Sequence, residues 1–151
     1  MAAQAEAIAS ETNSPPVTGI ARRPRVLVVE DDLDMRRLVS LMLEKDGYEV
    51  IQATNGVGLL AGMELSTWSD PGDYFDAIVS DIQMPDLTAL DALAEVQDHR
   101  ARVPVVLMTA YGGAQVRAKA RALGAAAFLD KPIDWHELRL AVRRAITAAA
   151  Q

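Results

Sequence analysis

Residues 25–37 read RVLVVEDDLDMRR: a run of aliphatic residues ending directly in carboxylates at 30, 31, 32 and 34. Like charges packed this closely repel one another. That cost is tolerable where the acids face water, where they cap a helix, or where they share a cation. A short buried strand running straight into a cluster of acids places a charged site at the strand's carboxyl end.

The same grammar continues along the chain. Further β-rich apolar runs are YEVIQA (48–53), AIVS (77–80), PVVLMT (104–109) and AAFLD (126–130), with VLVV (26–29) as the first. Helical spacing lies between them. The first helix carries a stripe of Met35, Leu38, Val39 and Met42, with Asp32 and Asp34 at its opening, where the dipole favours carboxylates. The last carries Trp135, Leu138, Ala141, Val142 and Ala145 behind Asp134 as N-cap. Other helices are expected over about 56–65, 87–99 and 113–123, with Gly47 and Gly124 at helix stops. Strand and helix alternating five times predict an α/β fold, a parallel sheet with helices on both faces. In open sheets of this kind, ligands bind beyond the carboxyl ends of the strands.

Length and composition bound the function. A chain of 151 residues, half apolar and 24% charged, suits one soluble globular domain. Lack of cysteine excludes disulfides and thiolate metal sites, and His99 and His136 are too few and too far apart for a zinc cage. No apolar run is long enough to span a bilayer. No secretory signal is evident either, and Arg22-Arg23 precedes too short an apolar run for twin-arginine export, so a cytoplasmic protein is expected. Residues 1–113 hold 8 basic and 18 acidic residues, net −10, and residues 114–151 hold 7 and 3, net +4. The acidic body argues against direct nucleic-acid binding. Residues 1–24, rich in Ala, Ser, Thr and Pro, are expected to form a disordered leader, and 25–150 the domain. Residues 66–76 predict an exposed loop, with Trp68 and Tyr74 packed partly back.

Past the strand ends stand Glu30 and Asp31, Asp81, Thr109 and Lys131. Three carboxylates, a hydroxyl and an ammonium meeting at one edge suit a hard divalent cation such as magnesium together with a phosphate. The bland alternative is a set of solvated loop acids.

The stretches VVEDD, VSDIQMP, VVLMTAYG and FLDKPI resemble the signatures of the response-regulator receiver domain of bacterial two-component systems, in the right order, over residues 25–147. The resemblance implies a flavodoxin-like doubly wound fold with strand order 2-1-3-4-5, acting as a stand-alone phosphorylation switch of the chemotaxis-regulator kind. It further implies that Asp81 accepts a phosphoryl group from a histidine kinase or phosphotransfer protein. Asp31 would ligate Mg2+ directly, Glu30 through water, and the backbone carbonyl of Gln83 would complete the site. Thr109 and Lys131 would hold the phosphoryl group, with Pro132 in a cis bond. Thr109 turning toward that group would let Phe128 rotate inward, by packing alone since it has no hydroxyl. The alternative is a core phenylalanine that never moves. Such a protein is a regulator and not an enzyme, beyond assisting its own phosphotransfer and slow dephosphorylation.

The relayed signal would leave through the fourth helix, fifth strand and fifth helix. Arg117, Lys119 and Arg121 with Arg139, Arg143 and Arg144 make that region basic, suited to an acidic effector, a homodimer contact or plain solvent. The fourth helix offers only Val116, Ala120 and Leu123 to the core, so it is expected to be weakly held.

Two positions depart from the family pattern. Ala89 stands where glycine is usual, and the bulky Tyr111 lies close to the phosphoryl site; Gln83 and Tyr111 would tune acyl-phosphate lifetime. These departures leave open a docking module that works without phosphorylation. The segment GVGLLAG (56–62) is similar to a dinucleotide-binding glycine loop, but it follows the second strand and its spacing is GxGxxxG. SDIQMP is similar to the aspartyl-phosphate phosphatases too, yet their second aspartate is replaced by Gln83.

Overall fold

The computed structural model describes residues 22–68, 74–96 and 103–149. Five strands, β1 (Arg25–Val29), β2 (Glu49–Ala53), β3 (Ala77–Asp81), β4 (Val105–Thr109) and β5 (Ala127–Asp130), form one parallel sheet in the order β2-β1-β3-β4-β5. The crossovers are α1 (Leu33–Lys45), α2 (Gly56–Trp68), α3 (Ala89–Glu95) and α4 (Ala114–Ala122), and α5 (Trp135–Ala149) follows β5. This is the doubly wound order expected.

Alternation along the strands assigns the helices to faces. Leu27, Val29, Ile78, Val105 and Leu107 pack with Leu59 and Met63 of α2, Ala92 and Leu93 of α3 and Ala120 of α4. Val26, Val28, Val79, Val106 and Met108 pack with Val39 and Leu43 of α1 and Leu138, Val142 and Ala145 of α5. β1, β3 and β4 are covered on both faces, which is why they read as unbroken apolar runs. The edge strand β2 is different: Glu49, Ile51 and Gln52 are exposed.

Several boundaries moved. α1 buries Val39, Ser40 and Leu43, while Leu38, expected on the core stripe, is 46% exposed. Two overlapping stripes compete on that helix, and the angle at which it lies on the sheet selects one. α2 runs on to Trp68, so the expected 66–76 loop begins later; residues 69–73 lie outside the described residues, and Tyr74 is half-buried. α3 starts at Ala89, not 87, because Thr88 and Asp91 form a reciprocal capping box there. The predicted end of that helix, with His99, lies outside the described residues, as do residues 1–21 of the leader. Arg22 pairs with Asp76 at 3.0 Å and the Pro24 carbonyl accepts from Glu49 N–H at 2.9 Å, so the last leader residues are tied to the domain.

The expected stops and caps are present. Gly47 and Gly124 have φ of 97° and 88°, the left-handed region open to glycine. Asp32 accepts from Met35 N–H at 2.8 Å, and Asp134 from His136 N–H at 2.9 Å.

Candidate functional site

Because the strands are parallel, their carboxyl ends lie along one edge, and the order reverses between β1 and β3. Glu30 follows β1, Asp81 ends β3, Thr109 ends β4 and Lys131 follows β5. All are brought to that edge. Carboxylate oxygens of Glu30, Asp31 and Asp81 lie within 4.8 Å of one another. Glu30 and Asp81 are 1% and 6% exposed, whereas Asp31 faces solvent.

Lys131 ties the cluster together across 101 residues of sequence. Its Nζ donates to Glu30 Oε1 at 2.9 Å and lies 3.4 Å from Asp81 Oδ2. Lys131 N–H also donates to the Thr109 carbonyl at 2.8 Å, and the Lys131–Pro132 bond is cis as expected. Glu30 Oε2 accepts from Asp32 N–H at 3.1 Å, and Gln83 N–H reaches Asp81 Oδ1 at 3.4 Å. Thr109, 1% exposed, accepts at Oγ1 from Tyr111 N–H at 3.0 Å. Gln83 and Tyr111 both stand in solvent, Tyr111 at 78% exposure.

Burial dominates the titration of the two inner acids. It pushes Asp81 up, partly opposed by the charge of Lys131 and the Gln83 N–H. It pushes Glu30 up likewise, against the hydrogen bond from Lys131. For Lys131, burial pulls downward but is outweighed by Glu30 and Asp81, and the ammonium is held above its ordinary value. With all groups ionised, three carboxylates and one ammonium leave two negative charges. Oxygen donors with that surplus fit a hard divalent cation.

Three contributors lie outside the motifs. Arg36 donates to the Glu30 carbonyl at 3.0 Å and to Gln52 Oε1 at 3.0 Å, fixing the acid loop to β2. Asp86 accepts from Gly56 N–H at 2.8 Å and Val57 N–H at 3.0 Å, anchoring the loop after β3 on α2. Arg117 pairs with Asp130 at 2.8 Å. No local signal in the sequence marks these, because each partner lies on another element.

The glycines of 56–62 serve packing rather than a nucleotide. The Gly56 and Val57 donors are taken by Asp86 and that of Gly58 by Asn55, so the start of α2 has no such donors left for a pyrophosphate. A Cβ on Gly56 would collide with the Leu87 carbonyl, and one on Gly62 with the Leu27 side chain. The six basic residues do not form one face either. Arg139 lies 3.5 Å from Asp46 and Arg143 beside Tyr48, both toward α1, and Arg117 turns onto β5. Lys119, Arg121, Arg143 and Arg144 are exposed.

Comparison with known proteins places the chain in a family. The model of the response regulator receiver domain matches residues 26–143. Regulatory protein AtoC of Escherichia coli is 35% identical over 122 residues, 81% of this chain but 25% of that protein, so the chain spans a quarter of its length. Sporulation initiation phosphotransferase F of Bacillus subtilis is 29% identical over 80% of this chain and 91% of its own. The solved chemotaxis response regulator CheY4 of Vibrio cholerae superposes with a TM-score of 0.68 at 28% identity, covering 82% of this chain and 99% of that one.

Proposed function

The chain belongs to the response-regulator receiver family, and from that premise we propose that it is a phosphorylation-dependent switch whose phosphoacceptor is Asp81. The observation that carries this role is the meeting of Glu30, Asp31 and Asp81 within 4.8 Å, with Lys131 against two of them.

In the transfer, a carboxylate oxygen of Asp81 bonds to phosphorus as the P–N bond of a partner's phosphohistidine breaks. The leaving imidazole keeps the bonding pair and takes a proton from solvent. Asp81 is oriented by the Gln83 N–H on one oxygen and Lys131 on the other. Catalysis here is positioning and charge neutralisation more than covalent chemistry. Glu30, Asp31, Asp81 and the Gln83 carbonyl would hold Mg2+, which when bound neutralises charge building on the phosphoryl oxygens. The acyl phosphate adds roughly one to two negative charges, and Lys131 would lean from Glu30 toward them. The Thr109 hydroxyl would donate a hydrogen bond to a phosphoryl oxygen, while Gln83 and Tyr111 flank the approach of water and set the lifetime of the acyl phosphate.

The rearranged Thr109 would be relayed through Phe128 to α4, β5 and α5 and read by a protein effector or a second copy. One relative is named a phosphotransferase. Passing the group onward from Asp81 to another histidine would be the same step reversed, so both outputs suit this site. Among the described residues no helix is long and apolar enough to cross a membrane, in keeping with a cytoplasmic role.

The test is incubation with a small acyl phosphate and magnesium, followed by mass spectrometry. A gain of one phosphoryl group, absent in Asp81→Asn, is expected. A wild-type chain that gains nothing is a docking module that works without phosphorylation. Magnesium alone should move the backbone NMR signals of 30, 31, 81 and 83, and Asp31→Ala should remove that effect.

A further inference from the structure

Arg117 of α4 closes over Phe128 of β5. Its guanidinium carbon lies 4.4 Å from the ring centroid, and Nη2 donates to Asp130 Oδ2 at 2.8 Å. One side chain therefore grips β5 twice, at the aromatic position and at the residue before Lys131. A planar guanidinium can stack and ion-pair at once, and the ring quadrupole attracts a cation over its face.

Gly112 supplies the third part. A Cβ there would stand 2.6 Å from Asp130 Oδ1 and 3.0 Å from both Phe128 Cε1 and Thr109 Cγ2. The ring edge, the threonine methyl and the carboxylate thus converge on a gap too small for any side chain. The threonine methyl and the ring edge border the same small space. α4 has little other hold, since Ala120 is its buried residue, with Val116 and Leu123 half-buried beside it.

We infer that Arg117 is a latch: stacked on Phe128 and paired with Asp130, it holds the ring and α4 in the arrangement described here and opposes the phosphorylated one. The latch presupposes Asp81 as phosphoacceptor. When Thr109 is drawn to the phosphoryl group its methyl leaves the gap, the ring follows, and the ring moves out from under the guanidinium. A half-exposed cation–π contact is worth roughly a two- to fivefold change in such an equilibrium. The Asp130 pair, being exposed, adds little. By linkage, a protein without the latch accepts the phosphoryl group more readily by the same factor.

The chain has two phenylalanines, and Phe75 is buried in the core. Labelling with 4-fluorophenylalanine therefore gives one reporter and one internal reference in 19F NMR. In Arg117→Ala without donor, the Phe128 signal is expected to move toward its position in the phosphorylated wild type, with Phe75 unmoved. The acyl phosphate concentration giving half-modification should fall about two- to fivefold, and Arg117→Lys, which keeps the charge but loses the planar stack, should restore only part of both. If Asp81 is phosphorylated yet the donor requirement of Arg117→Ala is unchanged, the latch is overturned and the switch stands. Movement of Phe75 with Phe128 overturns it too, as general loosening. Absence of any phosphoryl gain in wild type instead removes the phosphoacceptor role beneath it.

Discussion

The two halves of the site are built on opposite terms. At the ends of β1 and β3, Glu30 and Asp81 are buried between covered strands and share one ammonium. At the end of β5, Phe128 is only half-buried and Asp130 is exposed, and both are held by an arginine from a helix with a single buried residue. Chemistry that needs fixed distances sits on the rigid half. The half that the proposed switch would move is held by contacts worth little more than thermal energy.

Hydrogen exchange draws the contrast most sharply. Amides of β3 and β4 are expected to exchange on the order of 10³-fold more slowly than those of α4 between Val116 and Ala122. Equal protection would mean that α4 opens only with the whole domain.

Breaking the rigid half should cost more than breaking the mobile one. Lys131→Ala leaves Glu30 and Asp81 facing each other without a cation. Phosphoryl acceptance from a small donor should slow on the order of 10²-fold, with melting several degrees lower. Unchanged kinetics would show that the ammonium is only structural.

Asp81→Asn should act oppositely on stability, raising the melting temperature by a few degrees at neutral pH while abolishing phosphorylation. Burial raises the pKa of Asp81, so its ionised form burdens the folded state above that pKa. As pH falls through the raised pKa, the wild-type carboxyl takes a proton and the difference should shrink. A gap that widens in acid contradicts this origin.

The smallest effect belongs to Asp86, whose pKa is lowered by hydrogen bonds from Gly56 and Val57. Its contribution is present above the ordinary carboxylate range and lost as pH falls through the depressed folded value. Asp86→Asn should therefore melt slightly below wild type at neutral pH and coincide with it in strong acid. Thermal scans across pH would show the convergence.

Much of this was legible in the residues. The runs of β1, β3 and β4 announced themselves because strands covered on both faces are predominantly apolar. Asp32, Asp134, Gly47 and Gly124 marked helix ends because capping and left-handed turns are local chemistry. The rotation of α1 was not legible: the stripe through Leu38 is as regular as the one through Leu43, and only the sheet beneath chooses. Nor was the fate of the arginines. Arg117, Arg139 and Arg143 read as one basic face, yet each turns to a different neighbour.

The amino-acid order by itself determined the alternation of strand and helix and the placing of Glu30, Asp81, Thr109 and Lys131 just where strands end. Period and composition act within a few residues and need no partner. Tertiary structure alone decided that Lys131 bonds Glu30 across 101 residues, that Asp86 occupies the start of α2, and that Arg117 covers Phe128. Those contacts depend on distances that exist only once the sheet has brought remote segments side by side.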